Sequence, residues 1–338
     1  MEKKQNRIEW IDNFKACACF LVVLGHLIQS LKKANIDHGY ELTTYINWFI
    51  YLFHMPAFLA ISGFLYNLKR KEFNWKNYKE FEVKKIVNLL VPYIFFYVLY
   101  LSINICFSSS VNSPKGIDEL IGILNNPMSP YWFLYALIAL FIVIPIIEKI
   151  LKSKKNVLIC MVILKLISFF YVPNVYFIKV IMMQGIYFYI GCVIQLYKSG
   201  EWWKKIIFGL VYVISSIAIY VNKKKINDFM YFNMECIMGI IGTVGMFYMF
   251  YSKNNIYLFK TFRNFTFEIY LMHTIFAAGI RIVLLKIGIV NYIIHLVFGI
   301  ISSIYIPVII SVISKKIKFS QIVFYPVNTI KYYKERKN

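Results

Sequence analysis

Three histidines, His26, His54 and His273, fall inside long apolar stretches. Lys15, Glu235, Glu268 and Arg281 share such stretches, and Lys165 and His295 stand in others by themselves. A polar side chain in hydrocarbon is costly, so each is a candidate for function. Imidazole is the side chain whose ordinary pKa lies nearest neutrality. Three histidines without paired cysteines or clustered carboxylates suit proton transfer better than metal binding, so no metal is expected. Chemistry at a hydroxyl needs such a base, together with donors for any negative charge that develops on oxygen. His26, His54, His273, Glu235 and Glu268 are therefore the catalytic candidates, and Ser62, Trp132 and Tyr270 the candidate substrate-facing donors. A transporter or flippase, with the same His and Glu residues relaying protons, is the alternative reading.

Spacing sorts these residues. Lys15 and His26 are three helical turns plus roughly 20° apart, so they share one stripe, with roughly 16 Å between them along the axis. Asp12 is one turn before Lys15 and within reach of it. His54 stands in Phe53-His54-Met55-Pro56, where proline frees a backbone carbonyl that a neighbouring polar group must satisfy. Glu268 and His273 are roughly 140° apart around one helix and do not share a face. Glu235 faces the same side as Gly239 and Gly242, a small-residue stripe that permits close packing. Its carboxylate is expected to be buried with a partner such as Lys15 or Arg281.

The elements that must position these groups are membrane helices. Hydrophobic residues make up 59% of the 338-residue chain and charged residues 16%, against roughly 25% charged in soluble domains. Ten apolar runs occur at about 11–31, 45–68, 86–107, 131–148, 157–172, 180–197, 206–221, 229–251, 265–285 and 291–314. The expected fold is an all-α, polytopic integral membrane helical bundle of about ten transmembrane helices. A single domain over 1–338 is expected, with a basic cytoplasmic tail from about 315. The first run reads as a retained helix rather than a cleaved leader, because Asp12 and Lys15 interrupt its start.

Ten spans place both termini on one side. With the termini inside, the inner segments hold 27 Lys and Arg and the outer ones 8, which fits the positive-inside rule. The cluster of Lys223, Lys224 and Lys225 runs against it. A net charge of +22 would suggest nucleic acid in a soluble protein. Here the lysines sit between apolar runs, so membrane lipids are the expected partner and nucleic acid is not. Arg70, Lys84 and Lys85, with Lys15, would form a basic mouth at the cytoplasmic face. The six cysteines all lie in apolar runs and imply no disulfide framework.

Asp12-Asn13-Phe14-Lys15, followed by Val22-Val23-Leu24-Gly25-His26, resembles the Arg/Lys-x10-His motif of acyltransferase-3 membrane proteins. Phe53-His54-Met55-Pro56 and Ser62-Gly63-Phe64 resemble the second helix of that family's fucose-4-O-acetylase-like branch. Leu89-Leu90-Val91-Pro92-Tyr93, Trp132-Phe133-Leu134 and Ile269-Tyr270-Leu271-Met272-His273 resemble later motifs. The resemblance implies acyl transfer, usually from acetyl-CoA, to an extracytoplasmic carbohydrate hydroxyl, with His26 at the catalytic position. His26 would act as base or as transient acyl carrier. Acetyl-CoA would be the donor substrate, with no bound cofactor, and the acceptor a cell-surface polysaccharide such as a capsule. The implied location is the bacterial plasma membrane. Many members carry Arg-x-x-Arg just before the third-helix motif, where this chain has Lys85-Ile86-Val87-Asn88. Charge is kept there, but a bidentate guanidinium is not.

Overall fold

The computed structural model describes residues 8–36, 40–69, 75–194, 202–251, 257–317 and 320–335. Among these residues there are helices and no strands. In chain order they are α1 (Glu9–Lys33), α2 (Glu41–Lys69), α3 (Trp75–Cys106), the short α4 (Gly122–Asn125), α5 (Trp132–Leu151), α6 (Lys154–Phe170) and α7 (Tyr176–Val193). Then follow α8 (Trp202–Asn222), α9 (Asp228–Phe250), α10 (Thr266–Lys286), α11 (Tyr292–Lys316), α12 (Gln321–Phe324) and α13 (Pro326–Glu335).

Each of the ten apolar runs has become a helix. Eight of these helices are long and apolar enough to cross a membrane. The other two, α6 with 17 residues and the apolar part of α8 over Ile206–Asn222, are shorter. At 1.5 Å rise per residue, 17 residues still reach roughly 25 Å, close to a hydrocarbon thickness of roughly 30 Å. Helices are required there, because hydrocarbon offers the backbone no hydrogen-bond partner. Their outer faces carry bare apolar side chains: Ile163 and Phe170 on α6, Leu210 and Ile214 on α8, Ile293 and Ile309 on α11. In water such faces would drive association; in lipid they are the proper surface. The protein is a polytopic helical membrane protein.

Local chemistry sets the ends. The Asn227 side chain accepts from Met230 N–H at 2.8 Å and starts α9, and Asn291 does the same for Ile294 at 3.1 Å to start α11. Lys152 takes a left-handed conformation with φ 57° and closes α5.

Three segments outside the ten apolar runs hold more structure than their sequences indicate. Helix α3 begins at Trp75, so the charged stretch before residue 86 is largely helical. Lysine and glutamate are good helix formers, so polarity alone does not end a helix. Within 108–130, Ile117–Leu120 forms a 3₁₀ turn and is followed by α4. The tail folds into α12 and α13, with Phe324 buried against Phe96 of α3 at 5.5 Å between ring centroids. The backbone N–H of Val327 also donates to Asn88 Oδ1 at 3.2 Å.

The chain divides into two compact units. One comprises residues up to Gly25, Gly39–Leu68 and Tyr187–Thr266. Its core is aromatic: Trp10 meets Phe64 at 5.4 Å, and Phe14 meets Phe247 at 4.9 Å. Helices α2 and α7 touch backbone to backbone. A Cβ on Gly191 would lie 1.8 Å from the Ala60 carbonyl oxygen, and one on Gly63 would lie 1.9 Å from that of Phe188. Gly239 and Gly242 of α9 likewise press on α2 at Leu52, Phe53 and Pro56. These glycines let helices approach closely where no hydrophobic driving force separates lipid from protein contacts.

The second unit comprises His26–His38, Lys69–Ile186 and Phe267–Asn338. Leu27, Leu31, Ile36 and Ala277 form one apolar cluster, joining the end of α1 to α10. Ala136, Ala139, Val180 and Ile181 form another, joining α5 to α7. Tyr93, Tyr97 and Tyr131 are fully buried.

Candidate active site

Within the second unit, the last two turns of α1 lie against α10 and bring His26 and His273 together. Their ring centroids are 5.2 Å apart with an interplanar angle of 50°. His273 is 1% exposed. Its Nδ1 lies 2.8 Å from the Tyr270 carbonyl and 3.2 Å from the Ile269 carbonyl. A carbonyl only accepts, so Nδ1 carries the proton and Nε2 presents its lone pair. Nε2 meets no hydrogen-bond partner among the described residues. The geometry thus fixes one tautomer, with the basic nitrogen free to take a proton.

His26 lines a cavity of about 720 Å³ together with Gln29, Ser30, Asn104, Thr274 and Arg281. That is ample for a sugar residue. Loop 107–131 closes over it through a series of ties. Asn112 Nδ2 donates to the Ser30 carbonyl at 2.8 Å. Lys115 N–H donates to Asn104 Oδ1 at 2.7 Å, and the Tyr97 hydroxyl to the Glu119 carbonyl at 2.7 Å. The far end of the loop is anchored to α10. The Tyr131 hydroxyl donates to the Leu271 carbonyl at 3.0 Å, and the Tyr270 hydroxyl donates to the Pro130 carbonyl. These anchors hold the helix turn that carries His273.

The other sequence candidates fall elsewhere. Tyr270 is committed to Pro130, one turn before His273, with the two rings 6.2 Å apart. Trp132 packs on the α5–α7 apolar cluster and does not line the cavity. Glu268 is fully buried and accepts from Ser311 Oγ at 2.9 Å and from the Tyr325 hydroxyl at 2.6 Å. It ties α11 and the segment after it to α10. This agrees with the angular offset that separates Glu268 from His273 on their helix. Lys84 is exposed near the start of α3, and the Lys85 ammonium lies 4.2 Å from the Phe141 ring centre. Arg70 lies outside the described residues.

In the first unit, the His54 Nδ1–H donates to the Ile50 carbonyl at 2.7 Å, and its ring lies 4.7 Å from that of Tyr51. The carbonyl freed by Pro56 is that of Leu52, so His54 serves a different one. Ser62 donates to the Phe58 carbonyl of its own helix at 2.8 Å. Glu235 is half-buried beside Tyr231 and Tyr187. Lys15 is half-buried on α1. Nearby on that helix, Asn13 is buried and accepts from Arg263 at 3.1 Å.

Sequence reasoning did not assign Ser30, Asn104, Thr274 or Tyr131 to the site. Ser30 was findable, because it stands one turn after His26 on the same stripe. The others depend on which helices and loops meet.

The sequence profile of the acyltransferase domain matches residues 8–312, from the start of α1 to near the end of α11. The chain belongs to the acyltransferase-3 family. The match leaves out α12 and α13. Among curated proteins, the chain is similar to nodulation protein NolL of Mesorhizobium japonicum, 31% identical over 145 residues. It is also similar to nodulation protein NolL of Sinorhizobium fredii, 33% identical over 140 residues. These alignments cover 42% and 40% of this chain, and 36% of each relative. The chain therefore spans about a third of the length of the curated relatives it matches. No solved structure matches it.

Proposed function

We propose that the protein transfers an acetyl group from cytoplasmic acetyl-CoA to a hydroxyl of a cell-surface polysaccharide, at the bacterial plasma membrane. The observation that carries this reading is the His26–His273 pair beside a cavity that Ser30, Asn104 and Arg281 help to line. An imidazole of the pair takes the proton of the acceptor hydroxyl. The hydroxyl oxygen then bonds to the acetyl carbonyl carbon, the carbon–sulfur bond breaks, and the proton passes to the leaving thiolate. His26 lines the cavity and acts directly on the acceptor or as transient acetyl carrier. His273 stands behind it with its tautomer fixed. Family membership supports acyl transfer. The decisive experiment adds radiolabelled acetyl-CoA to membranes carrying the protein and isolated surface glycan. Alkali-labile label in the glycan is expected; label that never enters an ester would remove the enzyme reading in favour of a transporter.

In this reading Lys15 supplies a cation for the donor phosphates. Lys15→Ala is expected to raise the apparent Michaelis constant for acetyl-CoA several-fold. Lys15→Arg should be milder because charge is kept. Initial rates across a donor series in membranes check this, and unchanged donor kinetics in Lys15→Ala would exclude the role.

Sidedness is open to a separate test. Both termini and the start of α3 are proposed to be cytoplasmic, from the 27-to-8 charge count, and the loop after α3 extracytoplasmic. Reporter fusions at Lys76 and Asn112 should therefore give opposite signals. Equal signals would overturn the direction of donor entry.

A further inference from the structure

Arg281 is 3% exposed, yet it lines the cavity. Its guanidinium donates to Ser30 Oγ, and its Nε meets no partner among the described residues. Thr274 Oγ1, on the same helix and also at the cavity, is likewise buried without a partner. The charged residues lining the cavity are Lys33, Lys115, Arg281 and Lys286, with no carboxylate among the described residues. Glu119, which pairs with the lining residue Lys115 at 2.6 Å, does not itself line it. A buried guanidinium without a counter-charge is costly in a low-dielectric setting, so such groups are normally paired. Arginine's planar fork matches carboxylate and phosphate oxygens.

From this we infer that the acceptor is an anionic glycan, whose carboxylate or phosphate binds Arg281 beside Ser30, with the lysines drawing it in. This deepens the proposed function and rests on it. Ser30 lies one turn past His26, roughly 6 Å along α1, and Arg281 about two turns past His273, roughly 12 Å along α10. That offset fits an anion on the sugar being acetylated or on its neighbour.

The test uses the purified full-length protein in detergent micelles. Thermal unfolding is followed with sodium glucuronate, uncharged glucuronamide, inorganic phosphate or glucose, at an ionic strength held constant with sodium chloride. A ligand that binds only the folded form raises the melting temperature saturably. Glucuronate or phosphate should do so, while glucuronamide and glucose should not. Whichever anion binds more tightly identifies the acceptor group as carboxylate or phosphate. Arg281→Gln should weaken that binding about 10–100-fold, as expected for a lost charge-assisted contact, and Arg281→Lys should restore part of it. If Arg281→Gln does not fold, the glucuronate–glucuronamide comparison on the unaltered protein decides. The inference is overturned if no anion acts beyond chloride, or if Arg281→Gln binds as well as the parent. It is equally overturned if coenzyme A displaces glucuronate, which would assign the anion to the donor. Ester labelling that persists without anion binding would sink this inference alone. Anion binding without any acetyl transfer would instead sink the proposed activity.

Discussion

His26→Gln should abolish detectable acetylation of surface glycan while the protein still inserts and accumulates. The side chain of glutamine keeps a hydrogen-bonding group of similar reach but does not titrate. General acid–base catalysis contributes typically about 10²–10⁴-fold, so the loss should exceed two orders of magnitude. His26 is half-buried at the cavity wall, next to the apolar cluster that Leu27 and Leu31 make with Ala277. The substitution should therefore leave the fold intact. Ester-linked label per unit of membrane protein is the measurement. Near-normal labelling in His26→Gln would make this a packing histidine and would return the catalytic role to His273 or His54.

A loss of similar size is expected at His273, and it distinguishes the two nitrogens. In His273→Asn the amide N–H still reaches towards the Tyr270 carbonyl, which Nδ1 now serves at 2.8 Å. The basic Nε2 is gone. If His273 only ties down its own helix, this variant should work almost normally. If Nε2 handles a proton within the pair, activity should fall by about 10² or more. His54→Asn is the matched comparison, since His54 makes the same kind of bond to its own helix, to Ile50 at 2.7 Å. It should lose much less. Initial transfer rates of the three variants, normalised to folded protein, separate these outcomes. A His273→Asn enzyme as active as the parent would reduce the pair to His26 alone.

Hydropathy along the chain determined the helices, because membrane solvation acts on each segment separately. A run of about twenty apolar residues must hydrogen-bond its own backbone whatever its neighbours are. The same pattern singled out the polar residues on those helices, of which His54, Glu268, His273 and Arg281 are buried while Lys15, His26 and Glu235 are half-buried. It also separated Glu268 from His273, since the angle between two residues on one helix follows from helical geometry. What those polar residues meet was set only by packing. His26 and His273 are distant in sequence, and nothing local specifies that α1 lies against α10 at that height. Leu27, Leu31 and Ala277 make that contact, and any of several apolar faces would have satisfied the hydropathy pattern. Glu268 finds Ser311 and Tyr325, and Arg281 finds Ser30 rather than the acid that charge alone would assign it. The loop before α5 has the Ser, Asn, Pro and Gly content of a surface connection. It becomes a cap because tyrosines on α3 and α10 bond its backbone and Asn112 bonds the end of α1. Hydrogen bonds of that kind join groups far apart in the chain, so they exist only once the helices are assembled.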